Sequence, residues 1–121
     1  MSDRAPYAFD ALERVFHERG RLAICSALVT ETGMSFRQLQ DACDLTDGNL
    51  NRHLHALAEM GVVAVTRKTG SGRPQTTVRI TPKGRERFLA YIDALESIVR
   101  SVQDAASAAP VKVRGSRLAT Q

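Results

Sequence analysis

The segment "TDGNLNRHL", Thr46 to Leu54, together with the next residue, His55, gathers one guanidinium, two carboxamides and two imidazoles in a short span. Each of these groups presents a fixed pattern of hydrogen-bond donors and acceptors. Arg52 can donate both guanidinium arms to guanine O6 and N7, and Asn49 or Asn51 can pair with adenine N6 and N7. His55, a turn further along a helix, can reach a base or a phosphate. The same residues also suit a solvated helix face that does no more than keep a domain in solution. Metal ligation is disfavoured, because His53 and His55 stand two apart and a helix sends them to different sides.

Positioning such groups takes a helix, and the local sequence supplies one. Thr46 is a good N-cap, Leu50, Leu54, Leu57 and Ala58 form one apolar stripe, and Gly61 stands where a left-handed residue ends a helix. With Leu50 as the buried direction, the 3.6-residue period sends Gly48, Arg52, His55 and Glu59 to the opposite side, flanked by Asn49 and Asn51. Gly48 fits two readings: close approach of the helix start to a phosphate or groove wall, or a turn whose backbone needs glycine. Asp47 favours the helix dipole at the first position and repels phosphates, so its expected role is N-terminal stabilisation; accepting from cytosine N4 is the alternative.

Before this helix, Phe9, Leu12, Val15 and Phe16 predict a first helix over roughly 9–18, which Gly20 interrupts. Leu22, Ile24, Cys25, Leu28 and Val29 predict a second over about 21–30, with Gly33 as its stop. "SFRQ" fits a capping box at Ser35 and Gln38, opening a third helix that ends near Asp44. Only Asp44-Leu45-Thr46 separates the third and fourth helices, the spacing of a helix-turn-helix.

After Gly61 the period changes to two. "VVAVTRK" and "TTVRIT" read as strands, with Val63, Val65, Val78 and Ile80 as inward residues. Lys68 to Gln75 holds "TGSGRPQ" and is too long for a two-residue turn, so the pair reads as a β-hairpin with a long loop, a wing. Thr81-Pro82 opens a last helix running to about Asp104, whose Phe88, Tyr91, Leu95, Ile98 and Val102 form a seam. Residues 1–8 read as a flexible start, 9–104 as the domain, and 105–121 as a disordered basic tail.

With 43% hydrophobic residues, 121 residues suffice for one modest core. Residues 1–60 carry six Arg/Lys against nine Asp/Glu, whereas residues 61–121 carry eleven against four. That asymmetry points to a polyanionic partner. No apolar run is long enough to span a bilayer, so a cytoplasmic, nucleoid-associated location is expected and a membrane is not. Cys25 and Cys43 lie far apart inside apolar patterns and read as reduced, mostly buried thiols, with redox sensing as the alternative. "TGSGRP" lacks the Lys-Ser/Thr ending of a phosphate-binding loop, and no enzyme, metal or cofactor is expected.

The blocks "LTDGNLNRHLHALAEMGVV" and "GRPQTTVRITPKGRE", with "RLAICSAL" and "MSFRQLQDA" more loosely, resemble the small single-domain winged helix-turn-helix transcriptional regulators related to MarR and ArsR proteins. The resemblance spans about 9–102 and implies a mainly α (α+β) fold of four to five helices, a two-stranded wing and a long C-terminal helix. It further implies that the fourth helix enters the major groove of double-stranded DNA and that the wing approaches the minor groove. The residues so assigned are Arg37, Thr46, Gly48, Asn49, Asn51, Arg52, His55, Arg67, Lys68, Arg73 and Arg79. Terminal helices would pair two subunits through Phe9, Leu12, Phe16, Phe88, Tyr91, Leu95, Ile98 and Val102. The expected activity is sequence-specific binding by a homodimeric regulator, a repressor; a winged helix used for protein–protein contact is the alternative. The cysteine ligands of ArsR-type metal sensors are absent, and no small-molecule effector is specified.

Overall fold

The computed structural model describes residues 12–70 and 72–108. Along the chain these form a 3-10 turn at Arg14–Phe16, then α1 (Arg19–Leu28), β1 (Met34–Ser35), α2 (Phe36–Cys43) and α3 (Asp47–Glu59). The wing follows as β2 (Val63–Lys68) and β3 (Gln75–Ile80), and α4 (Pro82–Ala108) ends the described chain. Phe9, the segment 1–8 and the chain beyond Ala108 lie outside these residues.

The capping box at Ser35 forms as its residue types require. The Ser35 hydroxyl accepts from the Gln38 amide at 3.0 Å, and the Gln38 side chain accepts from the Ser35 amide at 2.9 Å. Asp44 ends α2 in the left-handed region at φ 56°, so the chain reverses within the three-residue turn and α3 starts at once. Gly61 takes φ +74° after α3, as its position demanded.

Three expectations are corrected, and one element is added. In place of a first helix, residues 12–18 contain only the 3-10 turn, preceded by an extended Glu13. Long-range anchors override the local period there. Phe16 is fully buried with its ring 5.3 Å from Phe88 and 5.4 Å from Tyr91, while Glu13 receives a forked ion pair from Arg87 at 2.7 and 3.2 Å. Gly20 does not interrupt a helix: it is buried in the first turn of α1, where Glu18 caps the Arg21 amide at 3.0 Å. The two-stranded wing forms as expected, and a short strand not foreseen joins it in the order β1-β3-β2, because Met34 and Ser35 pair antiparallel with Val78 and Thr77. Lastly, α4 continues past Asp104 to Ala108.

The core gathers Phe16, Ile24, Leu28, Leu39, Leu50, Leu57, Val62, Val63, Val78, Phe88 and Tyr91, drawn from every element except β1. Val63 and Val78 face inward as expected and Ile80 is half-buried, but Val65 is 44% exposed. Val65 and Val78 are directly opposed. Val78 lies on the central strand and is covered, whereas Val65 lies on the edge strand β2 beyond the reach of that cover.

The seam foreseen on α4 divides in two. Phe88 and Tyr91, with Phe16, are buried in the chain's own core, and the Tyr91 hydroxyl meets His17 Nδ1 at 2.9 Å. These three aromatics therefore hold the domain together and are not presented to a second copy. Leu12 and Leu95 pack half-buried at the edge of the core. Ile98 is half-buried, and Val99 and Val102 are exposed. Beyond Ala94 the helix has no buried residue.

Candidate nucleic-acid interface

Helix α3 owes its two faces to its sequence. Leu50, His53, Leu54 and Leu57 are buried, which leaves Gly48, Asn49, Asn51, Arg52, His55 and Glu59 exposed on the other side. The Thr46 hydroxyl accepts from the Asn49 amide at 3.2 Å and so starts the helix at the residue where that exposed face begins. Arg52 Nη2 donates to Asn49 Oδ1 at 3.0 Å, so these two expected readers lie side by side. His55 Nε2 is 3.4 Å from Glu59 Oε2, both well exposed.

Asp47, the residue hardest to reconcile with an anionic partner, accepts a hydrogen bond from Gln40 Nε2. Its carboxylate thus ties the start of α3 to α2 across the turn. Gly48 has no atom within 4 Å of where a Cβ would stand, and its φ is not positive. Among the described residues nothing requires glycine there, which removes the turn reading.

Between α3, the start of α2 and the hairpin runs an open groove of about 720 Å³. Arg37, Asn51, His55 and Arg67 line it, over a floor that includes Leu54 and the exposed Val65. Two guanidinium groups and two further hydrogen-bonding side chains from three different elements therefore share one concave face. Lys68 is exposed at the wing end of β2, and Arg73 is exposed just after Gly72, whose φ of +103° demands glycine. Arg79 opposes Ala64 towards the base of the hairpin and lies outside the groove lining. Ser71 at the wing tip lies outside the described residues.

One residue of this helix went unassigned in the sequence reading. His53 is only 3% exposed, and its ring fills the space where a Cβ on Gly20 would stand, 2.6 Å from Nε2. Helical spacing contained the signal, because three steps from Leu50 return His53 to the apolar side.

Burial pushes the Cys25 thiol up to about 12, with the neighbouring Cys43 adding to the rise and Arg21 opposing it. Cys43 is raised by burial as well. Both stay protonated near neutrality, the unreactive form of a thiol. Among the described residues no group of three or more His, Cys, Asp or Glu side chains is arranged to hold a metal ion. No helix there is long and apolar enough to cross a membrane.

Comparison with known proteins gives this geometry a family. An uncharacterized protein of Methanocaldococcus jannaschii is 32% identical over 90 residues, covering 74% of this chain and 98% of that protein. A solved transcriptional regulator homologue from Pyrococcus horikoshii OT3 superposes with a TM-score of 0.72 at 27% identity, over 78% of this chain and 94% of that one. The S. aureus MepR–DNA complex shares the fold, with a TM-score of 0.61 at 16% identity over 83% of this chain and 82% of that one. The family model described as "Winged helix DNA-binding domain" matches residues 21–99, a span that includes α3, the groove and the wing, and the chain belongs to that family.

Proposed function

We propose that this chain is a sequence-specific regulator that binds double-stranded DNA as a homodimer and represses by occupying its site. The observation that carries the reading is the exposed face of α3, capped at Thr46 and flanked by a groove with Arg37 and Arg67 on its walls. A helix start presents its readers to base edges in the major groove. Asn49, Asn51, Arg52 and His55 stand on that half of α3 or close behind it. Arg37, Arg67, Lys68 and Arg79 would neutralise phosphates and fix register, while Arg73 on the wing suits the negative potential of a narrow minor groove. Support also comes from the Pyrococcus protein, described as a transcriptional regulator homologue, and from MepR, solved with DNA.

Titrating promoter DNA of the source genome at several salt concentrations tests this directly. Affinity is expected to fall steeply with salt, by about 0.9 in log–log slope for each phosphate neutralised, and one site is expected to survive non-specific competitor. Binding that never rises above the non-specific level would overturn the reading in favour of a protein-contact module.

The dimer is inferred from the second half of α4. From Leu95 onward the helix carries Ile98, Val99 and Val102 without burying any of them. A second copy laid along this stretch would cover them and set two α3 helices about 34 Å apart, matching successive major grooves on one side of a duplex. A Val102→Glu variant is expected to sediment as a monomer. Val102 is 53% exposed and lies beyond the domain core, so the charge should leave folding intact. An unchanged mass would remove this stretch of α4 from the interface.

A further inference from the structure

The DNA-facing side of α3 accounts for its exposed residues but not for His53, the one buried polar side chain on the helix. Its surroundings are specific. Arg21 Nη1 lies 3.3 Å from His53 Nδ1, while Arg21 Nε donates to the Val15 carbonyl at 2.7 Å. On the other side of the ring, Nε2 is 3.5 Å from Glu18 Oε1, which also accepts from the Arg21 amide. The ring edge occupies the notch left by Gly20, where a Cβ would stand 2.7 Å from Cδ2.

This arrangement selects one protonation state. A guanidinium has donors only, so Nδ1 must be the bare, accepting nitrogen. The ring proton then sits on Nε2, towards the Glu18 carboxylate. Adding a second proton would put an N–H on Nδ1 against the Arg21 N–H and cancel the contact that joins α3 to α1.

We propose that His53 is a positioning residue for DNA recognition: its neutral ring, keyed into the Gly20 notch and held by Arg21, sets how α3 stands on the domain, and acid unseats it. The proposal rests on the DNA-binding reading above. Arg21 extends the linkage further, since the same side chain grips Val15 next to Phe16, which is packed on Phe88 and Tyr91 of α4. The seat of the recognition helix is thereby joined to the helix proposed to pair two subunits.

Among the described residues the charged groups that act on the ring are Glu18, Arg21 and Arg52. Burial is the largest influence and disfavours the imidazolium; Glu18 opposes it, and Arg52 on the same helix and Arg21 on α1 add to it, leaving the pKa lowered. Seated His53 therefore stays neutral where an unseated ring already takes a proton. Its contribution is complete above the ordinary imidazole range and is lost as pH falls towards the lowered value. Phosphates act with the opposite sign, because an imidazole facing DNA would bind more tightly when charged. A loss of affinity in acid is thus the mark of unseating.

The test compares the parent with His53→Gln and His53→Leu, using the duplex identified in the salt titration, between about pH 7.5 and about pH 5.5. Glutamine can accept from Arg21 and donate to Glu18 without ever becoming charged. The parent Kd is expected to rise several-fold in acid. His53→Gln should recover most of the affinity that His53→Leu loses, and its Kd should show no acid rise. Imidazole nitrogen shifts of the DNA-free parent should report the Nε2–H tautomer and resistance to protonation. An acid loss that persists in His53→Gln, or a ring protonated on Nδ1, would overturn the role of His53. A chain with the expected tautomer that binds no duplex specifically at either pH would instead overturn the DNA reading and leave the seat of His53 standing.

Discussion

Replacing Gly84 by alanine is expected to lower stability by about 1–3 kcal/mol, read as an earlier midpoint of urea unfolding at unchanged slope. A Cβ at Gly84 would stand 2.2 Å from the Val62 carbonyl oxygen and 2.7 Å from its Cα. The obstacle is backbone, so no side-chain rotamer can relieve it. Nor can Val62 retreat at little cost, since its carbonyl accepts from the Thr81 amide at 2.9 Å, while the Thr81 hydroxyl donates to the neighbouring Gly61 carbonyl at 2.7 Å and lies 3.1 Å from that of Val62. That hydroxyl also accepts from the Gly84 amide at 2.9 Å, capping α4. One extra methyl would therefore push α4 away from β2 at the seam where the wing is rooted. Gly48→Ala is the matching control, because open space surrounds that position. It should leave stability unchanged or raise it by up to about 1 kcal/mol. If Gly84→Ala unfolds at the parent's midpoint, the close packing of α4 against Val62 is wrong.

The contrast between these glycines shows what the sequence could and could not convey. Caps and periods are local, so Ser35, Thr46, Thr81 and Gly61 mark their helix ends in the sequence itself, and α3 and the wing form where expected. Packing across the chain left no such mark. Gly20 reads as a helix breaker until the His53 ring is seen in its place. Met34 and Ser35 are too few to show a strand period, and only their partners on β3 make them one. The spacing of Phe88, Tyr91, Leu95, Ile98 and Val102 was correctly apolar, yet periodicity gives a direction and not a partner. The first two face the chain's own Phe16, Leu95 packs half-buried at the edge of the core, and Ile98 and Val102 lie beyond it. Val65 shows the same limit on a strand, since alternation chose its face but not whether that face is covered. For the candidate site, spacing grouped Asn49, Asn51, Arg52 and His55, while the joining of Arg37 and Arg67 to Asn51 and His55 in one groove needed the fold.

That grouping makes Arg52→Ala the variant expected to change DNA recognition most. Its guanidinium is exposed and is steadied through Nη2 by Asn49 Oδ1, at 3.0 Å. The fork can present paired donors to guanine, and losing such a pair removes about 1–3 kcal/mol of discrimination at one base pair. The expected result is a relaxed preference at that position, with affinity for unrelated sequences much less affected. Lys68→Ala, at the end of β2, should do the reverse: weaken every sequence alike and reduce the log–log salt slope by about one. The two variants separate reading from positioning because a phosphate contact carries no base information. Asn49→Ala adds a third arm. If its carbonyl serves chiefly to hold Arg52, its loss should relax the same base pair as Arg52→Ala, and the double variant should lose less than the sum of the two. Should Arg52→Ala and Lys68→Ala both keep the parent's ratio of specific to non-specific affinity, the exposed face of α3 is not the reading surface. The domain would then have to be assigned its partner through the groove and wing alone.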